Sequence, residues 1–198
     1  MQGVFYINLD RRTDRRAEIE GELARIGIEA ERFPGIPTTP GIIGCGKCHS
    51  GVLKEAKARG YKNVLVLEDD FMLLIDPAEF WPLMGQAINE APDYDVIMLG
   101  YNMQRSEPFS ETLVKVLEAH AGSAYLVNEK FYDALISTWD AGTEKLIQTG
   151  RHWEYACDQI WKKLQPTANW YAFRTRIGKQ RPSITDNSEE PRWADYGI

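Results

Sequence analysis

A chain of 198 residues, 43% hydrophobic and 26% charged, has the size and composition of one globular domain, which excludes a disordered or fibrous polypeptide. Its formal net charge of −6 excludes a sequence-independent electrostatic grip on nucleic acid. With that balance, a phosphate-bearing ligand needs a local device: a metal ion, a few arginines or a helix N-terminus.

Residues Val4–Asn8 read as a short buried strand that stops at an arginine-rich turn, Asp10–Arg16. The sequence enters this strand without a basic, apolar leader, and no apolar run is long enough to span a bilayer. No signal peptide or transmembrane segment is therefore read, and a cytoplasmic location is expected. Three cysteines without a secretory context are expected as reduced thiols. Apolar residues at Ile19, Leu23 and Ile26 predict a helix over Arg15–Ile26, closed by Gly27. Glu29–Phe33 follows as a second strand, then a Pro/Gly-rich loop over Pro34–Gly41 and a helix over Gly44–Ala58 with Gly60 beyond its end. Asn63–Leu67 is a continuous apolar run of the kind found inside parallel sheets. Beyond it come a helix over Phe80–Asn89, strands at Asp95–Leu99, Leu113–Leu117 and Ser123–Val127, and helices at Glu129–Trp139 and Ala156–Leu164. A last strand, Trp170–Arg174, precedes a polar tail. Strands alternating with helices predict an α/β fold.

The run Asn63–Leu67 ends abruptly in Glu68-Asp69-Asp70. In open α/β sheets ligands bind beyond the carboxyl ends of the strands. Adjacent carboxylates repel one another, and a hard divalent cation relieves that repulsion. The plain alternative is a solvated acidic turn, and from this pattern alone both readings stand.

Four segments, in order, resemble glycosyltransferase family 25, the lipooligosaccharide and procollagen galactosyltransferases. They are Tyr6-Ile7-Asn8-Leu9-Asp10-Arg11 with Arg15-Arg16, Thr39-Pro40-Gly41 through Gly44-Cys45 and His49, Val66-Leu67-Glu68-Asp69-Asp70, and Ala121-Gly122-Ser123-Ala124-Tyr125-Leu126. A weaker match is Gln180-Arg181-Pro182-Ser183 with Asp186. Cys48 stands where the family more often has serine. The resemblance implies a single GT-A-type (Rossmann-like) domain over residues 1–198, with a mixed, mostly parallel central sheet. Its nucleotide-sugar and metal half would be about 1–100, its acceptor half about 101–198. It further implies a UDP-sugar donor, a hexose (galactose or glucose) passed to a glycan or other hydroxyl acceptor with inversion, and dependence on Mn²⁺, with Mg²⁺ as an alternative. Asn8 and Leu9 would border the nucleoside, with Arg11 or Arg15 nearby and Arg12 and Arg16 on the surface. Asp70 with Glu68, and Asp186 from the closing segment, would hold the metal. Glu68, Asp69, Lys179 and Ser183 would complete the donor site.

Arg174, Arg176, Lys179 and Arg181 form a second basic cluster, read either as a solvated face or as cations that neutralise a leaving diphosphate. An acceptor-side base is also required, and Asp158, near the start of a predicted helix, is the candidate, with Glu154 second. As a helix-stabilising carboxylate Asp158 has a purely structural alternative. Cys45-Gly46-Lys47-Cys48-His49 fits a c-type haem attachment string, but without an export signal a packed helix start is preferred to haem, zinc or thiol redox. The aromatics Trp153, Tyr155, Trp161, Trp170 and Tyr171 are read mainly as core. Two rival readings remain: a Mg²⁺-dependent phosphatase or phosphodiesterase, needing a nucleophilic aspartate after the first strand, and a non-catalytic sugar-nucleotide-binding module.

Overall fold

The computed structural model describes residues 1–187 and 192–194. The elements are β1 (Gly3–Asn8), α1 (Thr13–Ile26), β2 (Glu31–Pro34), α2 (Gly41–Ala58), β3 (Asn63–Glu68), β4 (Phe71–Leu73) and α3 (Pro77–Glu90). They continue as β5 (Val96–Pro108), β6 (Leu113–Asn128), α4 (Tyr132–Thr149), α5 (His152–Tyr155), α6 (Cys157–Ile160), β7 (Trp170–Phe173), β8 (Gly178–Gln180), β9 (Ser183–Thr185) and β10 (Arg192–Ala194).

Eight strands form one sheet in the order β2-β1-β3-β6-β7-β5-β8-β4. β1, β2, β3, β5, β7 and β8 run one way, and β6 and β4 run against them. The sheet is thus mixed but mostly parallel, as expected. Period-two alternation sorts its side chains onto two faces. On β3, Leu65 and Leu67 join Ile19 and Leu23 of α1 and Phe80 of α3 in one core. Val64 and Val66 join Val52 and Leu53 of α2 and Leu135 and Trp139 of α4 in the other. The same alternation carries Glu68 toward α2.

Several expected boundaries move. The segments Leu113–Leu117 and Ser123–Val127 are one strand, β6, because the break between them is a bulge: Ala121 takes φ 58° and the chain then resumes pairing. A non-glycine residue in the left-handed region needs holding, and the Ala121 N–H donates to Asp158 Oδ2 at 3.2 Å. The helix expected over Ala156–Leu164 is broken, since Ala156 is extended (ψ 152°) between α5 and α6, and a 3-10 turn covers Trp161–Lys163. The helix expected to end at Trp139 runs on to Thr149, where Gly150 (φ 68°) closes it. α3 begins at Pro77 because the Asp76 carboxylate accepts from the Ala78 N–H. The polar tail contains β8 and β9, and β8 extends the main sheet.

Candidate functional site

The C-terminal ends of β1 and β3 lie side by side, with Ile7 opposite Glu68. Beyond them opens a cleft with an enclosed volume of about 90 Å³. Its walls come from the β1–α1 turn, the loop after β2, the first turns of α2, the acidic end of β3, and the segment around Thr185–Asn187. The N-terminal end of α2 therefore faces the cleft, which favours an anion there. Thr38 Oγ1 accepts from the Gly44 N–H at 2.7 Å and fixes that end.

The three carboxylates have different partners. Glu68 accepts from Gln180 Nε2 at 3.0 Å and lies 3.2 Å from His49 Nε2. Burial works against its charge, but those contacts and the charge of Arg15 outweigh burial and hold its pKa below the ordinary value. Asp69 accepts from Asn8 Nδ2 at 2.8 Å and Arg15 Nη1 at 2.9 Å. Asp70 lies 3.3 Å from the same nitrogen of Arg15, and its Oδ1 is buried with no hydrogen-bond partner among the described residues. Burial, with Glu68 alongside, pushes Asp70 up to about 8. The Arg15 side chain is 12% exposed, and its Nε is likewise buried with no hydrogen-bond partner among the described residues. Two residues that line one cleft thus carry, among the described residues, a guanidinium donor and a carboxyl acceptor without a partner.

Most residues expected in the donor site line this cleft: Asn8, Leu9, Arg11, Arg15, Glu68, Asp69, Asp70 and Asp186. Ser183 accepts from Arg15 just outside it. Lys179 does not line it; in the β4–β8 pair Lys179 sits opposite Met72, and its neighbour Gln180 turns to Glu68 instead. Asp186 bonds Arg11 at 2.8 Å and Arg12 at 2.6 Å, so those arginines must release it before it serves as a metal ligand. Arg12, expected on the surface, has a side chain only 13% exposed because of this contact. Asp158 does not line the cleft, but Cys157 beside it meets Cys45 in the wall, Sγ to Sγ 3.6 Å. Glu154 is exposed and paired with Arg151. Cys48 turns away from Cys45 to accept from the Ile36 N–H at 3.1 Å, so the haem-type string does not act as a unit. Asp10, the aspartate a phosphatase would need after the first strand, is exposed, paired with Arg32 and outside the cleft lining.

Gln180 and Tyr125 fall in segments that carry the family resemblance, but neither they nor Cys157 were expected in the site. They reach the site from β8, β6 and α6 by tertiary pairing, and their spacing carries no local signal. Gly41 marks the close approach of the last segment: a Cβ there would overlap the Asp186 carbonyl oxygen. Gly41→Ala is expected to cost ~1–3 kcal/mol of stability and to loosen the 183–187 segment. Urea denaturation and limited proteolysis check this.

No family model matches the chain. A Drosophila melanogaster protein named "Glycosyltransferase 25 family member" is 30% identical over 155 residues, 62% of this chain and 24% of that protein. Procollagen galactosyltransferase 1 of Danio rerio is 28% identical over 133 residues, 52% of this chain and 22% of that protein. The chain spans about a quarter of the length of these curated relatives. Among solved structures, a glycosyltransferase involved in glycosylation of the major capsid of PBCV-1 aligns with TM-score 0.58 at 10% identity, covering 93% of this chain and 95% of that one. A197 from STIV aligns with TM-score 0.52 at 12% identity, covering 98% and 95%. An apo UDP-glucose pyrophosphorylase aligns with TM-score 0.50 at 10% identity, covering 94% and 77%. Such identities speak for the fold alone. The chain is therefore similar in sequence, over about three fifths of its length, to proteins of glycosyltransferase family 25, and it carries the GT-A-type α/β fold which that resemblance implies.

Proposed function

We propose that this chain is a glycosyltransferase domain that moves a hexose, galactose or glucose, from a UDP-sugar to a hydroxyl of a glycan or similar acceptor, with inversion. One observation carries the reading: Arg15 and Asp70 line one cleft beyond parallel strand ends, and Arg15 Nε and Asp70 Oδ1 have no hydrogen-bond partner among the described residues. An anionic ligand accompanied by a cation satisfies both atoms at once. Hard oxygen donors and the orphaned Asp70 Oδ1 fit Mn²⁺ or Mg²⁺, with Asp70 and Glu68 as the residues that would hold it. When bound, the ion acts as a Lewis acid toward the diphosphate.

The protein's own groups do the remaining work. Asn8, fixed by Asp69 and the Arg12 carbonyl, borders the nucleoside with Leu9. Arg15 and Arg11 offer guanidinium donors to the phosphates, and the N-terminal end of α2 adds a favourable field. Arg15 lies against Asp69 and Asp70, and a phosphate of the donor competes with these carboxylates for its guanidinium.

Asp158 is the acceptor-side base in this reading. Its Oδ2 holds the Ala121 N–H, and an asparagine oxygen keeps that bond, so Asp158→Asn separates chemistry from folding. The variant is expected to bind UDP normally and to transfer sugar ~10²–10⁴-fold more slowly. Glu154→Gln is expected to transfer at the wild-type rate, because its carboxylate is exposed and paired with Arg151. Loss of transfer in Glu154→Gln alone reverses the assignment. UDP-sugar binding without turnover on a broad acceptor panel favours a non-catalytic binding module.

A further inference from the structure

Cys45, His49 and Cys157 each present one sulfur or nitrogen atom, and the three atoms lie within 4.8 Å of one another. Among the described residues this is the one such trio of cysteine, histidine and acidic ligands. We propose that it is a binding site for a soft, thiophilic divalent cation of the zinc class, distinct from the oxygen donors at the end of β3.

Two sulfurs each about 2.3 Å from a tetrahedral zinc stand about 3.8 Å apart. The Cys45 and Cys157 sulfurs stand 3.6 Å apart, already near that spacing and far from the ~2.05 Å of a disulfide. Cys45 and His49 are four residues apart on α2, so one helix face offers both, as helices do when two side chains share an ion. Cys157 arrives from α6 at the face of α2 that carries Cys45 and His49.

His49 is 2% exposed and packs against Tyr125 and Trp139. Its Nδ1 is 2.6 Å from the Tyr125 hydroxyl and its Nε2 is 3.2 Å from Glu68. Whichever nitrogen takes the ion, the other keeps a polar partner of the kind that orients a ligating histidine. Two thiolates and a divalent cation sum to zero charge, which suits a site this buried. Binding releases the thiol protons to solvent. Cys45 and His49 also line the cleft, which leaves the fourth position to water. Soft sulfur donors select zinc or cobalt over Mn²⁺ and Mg²⁺. The proposal does not depend on the glycosyltransferase reading.

The test is Co²⁺ titration of the full chain, purified under reductant and stripped with chelator. The expected result is one cobalt per chain, with the strong visible bands of a tetrahedral site and a sulfur-to-cobalt charge-transfer band, all displaced by Zn²⁺. Cys157→Ser is expected to weaken the charge-transfer band, and Asp70→Asn to leave it intact. Alkylation of Cys45 in the wild-type protein is expected to slow when Zn²⁺ is present, which tests the site even if Cys157→Ser does not fold. The proposal is overturned if cobalt with reduced thiols shows no sulfur band, if the band persists undiminished in a folded Cys157→Ser, or if Zn²⁺ does not protect Cys45.

Discussion

Replacing Asp70 by asparagine is expected to abolish Mn²⁺-dependent transfer and donor hydrolysis, and to weaken UDP binding, while the protein stays folded. Asp70 Oδ1 is buried with no hydrogen-bond partner among the described residues, and Oδ2 lies 3.3 Å from Arg15 Nη1, a contact the asparagine oxygen can keep. The carboxyl group is 4% exposed and stands beside Glu68 and Asp69, where a negative charge is hard to hold without a cation. Neutralising the side chain removes the attraction for the ion and with it the support for the departing diphosphate. UDP release with and without Mn²⁺ measures the first effect, and thermal unfolding the second, with an unchanged or slightly raised midpoint expected. Wild-type activity in Asp70→Asn would place the metal elsewhere.

Arg15→Ala carries the largest expected loss of stability. The guanidinium is the positive partner of two buried carboxyl groups, at 2.9 and 3.3 Å, and also bonds Ser183 and the Ile184 carbonyl. Removing one member of a buried ion pair strands the rest, and the loss is about 3–5 kcal/mol. Protonation of Asp70, already pushed upward by burial, brings the loss toward the lower figure. Mn²⁺ is expected to raise the unfolding midpoint of Arg15→Ala more than that of the wild type, since the ion supplies the missing positive charge. Arg15→Lys keeps charge but not the two-pronged contact, and an intermediate stability is expected. An equal response to Mn²⁺ in all three proteins would separate Arg15 from the metal site.

The parts of the fold legible in the sequence are those with a strong local pattern. Asn63–Leu67 reads as a buried strand because both of its faces are covered, and Ile19, Leu23 and Ile26 mark the helix they in fact bury. The acidic strand end was legible for the same reason, since charge follows an uninterrupted apolar run. What the sequence hides is tertiary. Phe71–Leu73 is a strand only because Gly178–Gln180 pairs with it. The bulge at Ala121 depends on a carboxylate that follows 37 residues later. The string at Cys45–His49 directs attention to Cys48, whereas Cys45 meets a cysteine 112 residues away. Asp186 reads as a metal ligand from its place in a motif, but two guanidiniums of the first turn reach it first.

The central claim is that the cleft beyond β1 and β3 takes a UDP-sugar with a divalent ion and activates its glycosidic bond to phosphate. Release of UDP from a panel of UDP-sugars, with Mn²⁺ and then with chelator, in the absence of acceptor, tests it most directly. Slow UDP release from UDP-galactose or UDP-glucose is expected, requiring the metal and disappearing in Asp70→Asn. Release of inorganic phosphate instead of UDP, or metal-independent release that survives Asp70→Asn, would contradict it.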